Sequence, residues 1–106
     1  MDTLSLLSTD TALEELQAAR LAELFSTLSD ASRVQIIYAL LSGPKNVQSL
    51  AQVVGISESG VSHHLRGLRQ MRLVRSRKQG RHVFYSLEDE HVADLFRRGL
   101  EHVLHG

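Results

Sequence analysis

Residues 46–87, NVQSLAQVVGISESGVSHHLRGLRQMRLVRSRKQGRHVFYSL, decide the fold of this chain. Asn46 can cap a short helix over Val47 to Val54, and Gly55 supplies the residue that ends it. Ser57 then caps a second helix running to about Met71, so residues 46–71 read as a helix-turn-helix. Val61, Leu65, Leu68 and Leu73 are core candidates on this pair. In the next run, Arg75 and Arg77 alternate with Val74 and Ser76, as a strand requires. It is joined through Lys78-Gln79-Gly80-Arg81 to His82-Val83-Phe84-Tyr85-Ser86-Leu87. Two strand-like runs around a Gln-Gly turn make residues 73–87 a hairpin. A hairpin following a helix-turn-helix is the winged-helix arrangement.

The flanks extend this plan. Residues 1–10 read as a frayed lead-in. From about Thr11, Leu13, Leu16, Leu21, Leu24, Phe25 and Leu28 recur at helical spacing and predict a first helix to about Leu28. Ser29-Asp30 offers an N-cap for a second helix, Ala31 to Leu41, with Val34, Ile36, Ile37, Leu40 and Leu41 inward and Ser42-Gly43-Pro44 as its stop. The last helix carries Val92, Leu95, Phe96, Leu100 and Val103 near one face. The expected fold is mainly α with a small β-hairpin: a single homodimeric winged helix-turn-helix domain over residues 1–106, with 88–105 as its dimer and metal helix.

The chain has 106 residues, 42% of them hydrophobic, enough for one modest core that a dimer interface would help to stabilise. It has no cysteine, so disulfides and thiolate metal sites are excluded. No stretch approaches the ~20 apolar residues of a membrane span, and Met1-Asp2-Thr3-Leu4 lacks the basic start of a signal peptide. The default location is the cytoplasm. Net charge is zero but unevenly spread. Ser57 to Ser86 holds seven bases (Arg66, Arg69, Arg72, Arg75, Arg77, Lys78, Arg81) against Glu58, a net of +6, and each flank carries −3.

That basic segment coincides with the helix pair and the hairpin, which points to double-stranded DNA. Ser57, Ser59, Gly60 and Ser62 let a helix N-terminus approach phosphates closely. His63, His64 and Arg66 are long enough to reach base edges in the major groove. Lys78, Gln79 and Arg81 form a wing tip suited to phosphate or minor-groove contact. Both histidines have a second reading, as partly buried structural residues.

The last helix points to a metal. Asp89, His91, His102 and His105 are nitrogen and oxygen donors of the kind zinc accepts. Eleven residues of helix separate His91 from His102 by ~16 Å, too far to share one ion, yet return the chain to nearly the same face. The pattern asks for an antiparallel second copy, in which Asp89 and His91 of one protomer meet His102 and His105 of the other, twice by symmetry. Glu88, Glu90 and Glu101 could substitute for Asp89, and His82 in the wing has no assigned role.

These residues resemble the ArsR/SmtB family of small dimeric metal-sensing repressors. The resemblance rests on Leu28-Ser29-Asp30-Ala31-Ser32-Arg33, on Val61-Ser62-His63-His64-Leu65, and on Leu73-Val74, Gly80-Arg81 and Phe84-Tyr85, and it covers nearly all of the chain from about residue 20. It implies a homodimer held by its first and last helices, binding an imperfect inverted repeat in an operator and releasing it on metal binding. Members that sense zinc through the last helix use an Asp-x-His pair, a His eleven positions on and a His or Glu three beyond. Asp89, His91, His102 and His105 reproduce that pattern. Cysteine-based modes are excluded here, and the extra histidines of six-coordinate nickel sensors are missing, so zinc is expected, with cobalt(II) as a mimic. The resemblance also implies a relay from the non-ligating nitrogen of His102 to the carbonyl of Arg72.

Competing functions are a repressor of the same fold with a non-metal effector, a zinc enzyme and passive zinc storage. Four protein ligands would fill the tetrahedron that a zinc hydrolase leaves open, and the chain has no nucleophile elbow or glycine-rich phosphate loop. No small organic substrate is expected. Storage would leave the +6 segment without a purpose.

Overall fold

The computed structural model describes residues 11–106, so the expected N-terminal lead-in lies outside the described residues. Five helices and one hairpin follow in order: α1 (Glu15–Thr27), α2 (Ala31–Leu40), α3 (Val47–Val54), α4 (Glu58–Gln70), β1 (Val74–Gln79), β2 (His82–Leu87) and α5 (Glu90–His105). No helix among these residues is long and apolar enough to cross a membrane.

Side-chain caps explain most of the boundaries. Asp30, Asn46, Ser57 and Asp89 each accept a hydrogen bond from the backbone N–H three residues on, at 2.8–3.1 Å, satisfying a donor the helix cannot pair internally. α1 lacks such a cap. Glu14 occupies the cap position without a side-chain bond, and the helix begins at Glu15 rather than near Thr11. α3 ends where the sequence predicts, at Gly55, whose φ of 80° a side chain would resist.

The end of α4 is unusual. Leu73 N–H donates to the Leu68 carbonyl at 2.9 Å and Arg72 N–H to that of Arg69 at 3.0 Å, the two bonds of a Schellman stop. Arg72 stands where glycine is usual, at φ 56°. Buried Leu68 and Leu73 close the motif with an apolar contact.

The hairpin is antiparallel, with Val74 opposite Leu87 and Gln79 opposite His82. Gln79 is therefore the last paired residue and the turn is Gly80-Arg81, one position later than the sequence predicts. Gly80, at φ 64°, takes the first turn position. Lys45 pairs with Tyr85 through two backbone bonds of 3.0 and 2.8 Å, tying the wing to the loop after α2, a contact that no local pattern announces.

The core is built from Ile36, Ile37, Leu40, Leu50, Val61, Leu65, Leu68, Leu73 and Val74. Val34 is exposed, because at ~100° per residue it stands at the edge of the inward face, ~160° from Ile36 and ~120° from Leu40 though only ~60° from Ile37. α1 buries no residue: Leu24, and Leu28 at its C-cap, pack against the core, while Leu16, Leu21 and Phe25, and Leu13 ahead of the helix, are exposed. α5 behaves alike. Val92, Ala93 and Phe96 face inward, Phe96 meeting the Tyr38 ring at 6.3 Å, but Leu95, Val103 and Leu104 are exposed. A radius of gyration of 15.6 Å exceeds the ~13 Å of a compact chain this long, as two half-used helices require.

Candidate nucleic-acid interface and metal centre

The N-terminal turn of α4 is built to stay open. Ser57 Oγ accepts from Gly60 N–H at 3.0 Å and lies 3.2 Å from Ser59 Oγ. A Cβ on Gly60 would come within 3.1 Å of that same Ser57 oxygen, so the residue keeps the cap uncrowded. Ser59, Gly60's neighbour Ser62 by way of Val61, and His63 all lie on or beside exposed helix surface. Arg66 and Arg69 share an open hollow with Ser62, Gln70 and Tyr85 between α4 and the wing. Lys78, Gln79 and Arg81 are exposed at the wing tip. Among the described residues, none of the seven bases between Ser57 and Ser86 is in an ion pair. Unpaired positive charge therefore stands on both α4 and the wing, of the sign a phosphate backbone attracts.

The two histidines separate. His63 is exposed, whereas the His64 side chain is 18% exposed and its Nδ1 accepts from Arg33 Nε at 3.1 Å. His64 is thus partly buried, as the second of its two readings expects. The sequence offered Arg33 only as part of the resemblance and did not single out Gly67 beside it, because their meeting depends on how α2 crosses α4. The hollow likewise adds Arg69 and Tyr85 to the residues expected at this face; Arg69 was visible only as part of the charge run.

The four metal donors lie on or at the cap of one continuous helix, α5. Asp89 has two distinct roles available. Its Oδ1 accepts from Val92 N–H at 3.1 Å and caps the helix, while Oδ2 lies 3.5 Å from His91 Nδ1. The Val92 N–H first, and His91 after it, hold this carboxyl below the usual carboxylate range, so it is an anion at neutral pH. His91 is 96% exposed. At the other end, His102 and His105 line one open hollow with Arg98 and Glu101. Among the described residues, no three His, Asp or Glu side chains gather around one point. Each protomer thus presents two pairs of donors facing solvent, chemically suited to zinc, and neither pair is a site by itself.

The family model for bacterial regulatory proteins of the arsR family matches residues 30–76, from the α2 cap through the helix-turn-helix into β1. A cadmium resistance regulatory protein CadC homolog from Staphylococcus aureus is 42% identical over 82 residues, covering 76% of this chain and 68% of the relative. The chain belongs to the ArsR family. This family comprises transcriptional regulators rather than enzymes. Another ArsR relative, a transcriptional repressor SmtB homolog from Synechocystis, is 47% identical over 87 residues, 82% of this chain. The matched region spans 66% of that relative's length. Among solved structures, the homodimeric winged helix-turn-helix DNA-binding domain from Mycobacterium bovis superposes with a TM-score of 0.76 at 27% identity, covering 91% of this chain and 95% of that one. The ArsR family match ends before the wing tip and α5, so Asp89, His91, His102 and His105 lie outside it.

Proposed function

We propose that this ArsR chain is a cytoplasmic, homodimeric repressor that binds an inverted-repeat operator and releases it when zinc bridges α5 of one protomer to α5 of its partner. The observation that carries the proposal is the division of donors along α5. Asp89 and His91 stand at one end and His102 and His105 at the other, ~16 Å apart, on a helix with exposed Leu95, Val103 and Leu104. An antiparallel pair of such helices buries the apolar residues and completes two four-donor sites together. The homodimeric M. bovis structure supports the assembly, and the unpaired basic face supports the DNA partner.

The ion is the finer claim. The staphylococcal relative is named for cadmium resistance, but this chain has no cysteine. Imidazole and carboxylate donors in a tetrahedral set favour zinc, with cobalt(II) as a close mimic. Ser57, Ser59, Gly60, Ser62, His63, Arg66, Lys78, Gln79 and Arg81 are the proposed DNA residues; His64 contributes through Arg33. Metal and DNA then act as opposed ligands of one dimer: each weakens the other by the same factor. The proposed link is a hydrogen bond from the non-ligating His102 nitrogen to the Arg72 carbonyl, at the left-handed residue that joins α4 to the wing.

The test is fluorescence anisotropy of a labelled duplex from upstream of the gene, at fixed salt, with and without a few equivalents of zinc. Tight binding that zinc abolishes and a chelator restores is the expected result. Equal binding with and without zinc, cobalt or nickel would leave a repressor that answers a non-metal signal.

A further inference from the structure

Three helices meet at one guanidinium. From the first turn of α2, Arg33 donates through Nε to His64 Nδ1 of α4 at 3.1 Å and through Nη1 to the Thr27 carbonyl of α1 at 3.3 Å. Its planar head lies over Gly67, where a Cβ would stand 2.6 Å from Nη2 and 2.9 Å from Cζ. Asp30, which caps α2 by accepting from Arg33 N–H at 3.1 Å, places the same oxygen 3.9 Å from His64 Nε2. An Nδ1 that accepts from arginine leaves the His64 proton on Nε2, facing Asp30. A planar fork that donates to two acceptors at fixed angles, here His64 and Thr27, is a property of arginine that lysine lacks. Since α1 buries no residue of its own, the Thr27 bond is a direct tie between that helix and the unit containing α4.

We propose that Arg33, seated on Gly67 and bonded to His64, is a positioning residue for DNA recognition. It sets the attitude of α4 relative to α1, a helix whose exposed apolar face the dimer would bury. The two recognition helices then stand at the separation that successive major grooves require. His64 acts on DNA only through this lock, and His63 is the base-facing member of the pair. The inference rests on the regulator function proposed above.

The test uses the full chain and a duplex selected by the wild-type protein from a random library, with affinity measured at several salt concentrations. Gly67→Ala should fold, because the atoms a methyl group meets belong to the end of a flexible side chain and alanine suits a helix better than glycine. It is expected to displace Arg33 and weaken operator binding about tenfold. His64→Leu should do the same. His64→Asn, whose Oδ1 can replace the accepting nitrogen, should stay within about threefold of wild type. In all three the slope of affinity against salt and the order of base preferences should match wild type, since no phosphate or base contact is removed. His63→Ala, by contrast, should change the base preferences.

Wild-type affinity in both Gly67→Ala and His64→Leu would overturn the lock. A changed salt slope or base preference in His64→Leu would overturn it too, by making His64 a direct contact. A wild-type protein that selects no duplex at all would remove the regulator function itself, and the lock with it.

Discussion

The helix-turn-helix and the two outer helices of this protomer are stabilised in different ways. α2, α3 and α4 each begin at a side-chain cap and each contribute fully buried residues to one core. α1 has no side-chain cap bond and no buried residue, and α5 buries only Ala93. Yet these outer helices carry exposed leucine, valine and phenylalanine, and α5 with its cap carries all four proposed metal donors. The first region satisfies its own physical requirements. The second has requirements that only another chain can meet, which is where a signal can act on the assembly at small cost to the fold.

The sharpest way to break this contrast is a pair of truncations. Leu65→Ala removes a buried core side chain and should lower stability by ~2–5 kcal/mol in urea denaturation. Phe25→Ser, on exposed α1, should leave helix content unchanged while shifting sedimentation equilibrium toward monomer. If Phe25→Ser unfolds the chain as Leu65→Ala does, the two regions are not energetically distinct.

Next in size is the metal response. His102→Ala should bind operator as wild type does without zinc and lose the zinc effect, a coupling of ~1–3 kcal/mol. Anisotropy with and without zinc reads it directly.

Arg72, which ends α4 ahead of the wing, lines a hollow with Arg20 and Glu23 of α1. Its left-handed backbone costs an L-residue ~1–2 kcal/mol, so Arg72→Gly should raise stability, with unfolded-state entropy trimming the gain to at most ~1 kcal/mol. Glycine keeps the carbonyl, so zinc-driven release should survive. Its loss on Arg72→Gly would place the relay in the side chain.

The smallest expected effect is on acid stability. The Arg33 N–H bond holds the Asp30 carboxyl below its usual range. A depressed folded-state pKa stabilises fully above the unfolded value near ~4 and loses that contribution as pH falls through the folded value. Asp30→Asn, which can still cap, should therefore show a shallower fall in Tm below pH ~4 than wild type. Circular dichroism melts across that range check it.

Local chemistry was legible in the sequence. Asn46, Asp30 and Ser57 announced their helices, Gly55 the turn, and the alternation of Val74 to Arg77 the first wing strand, because caps, glycines and periodicity act within a few residues. The spacing of Asp89, His91, His102 and His105 was equally readable, since a helix converts sequence separation into distance. The Gly80-Arg81 turn was missed by one position because strand pairing across the hairpin, rather than turn composition, fixes the register.

The sequence by itself thus determined the winged helix-turn-helix, its run of basic residues and the spacing of Asp89, His91, His102 and His105 along one helix, all of which follow from short-range geometry. The tertiary structure alone decided that His64 turns inward while His63 stays exposed, that Arg33 reaches across 31 residues to hold it, and that Lys45 pairs with Tyr85. Those contacts depend on where whole helices cross and on what a part-buried guanidinium can reach. No periodicity records either.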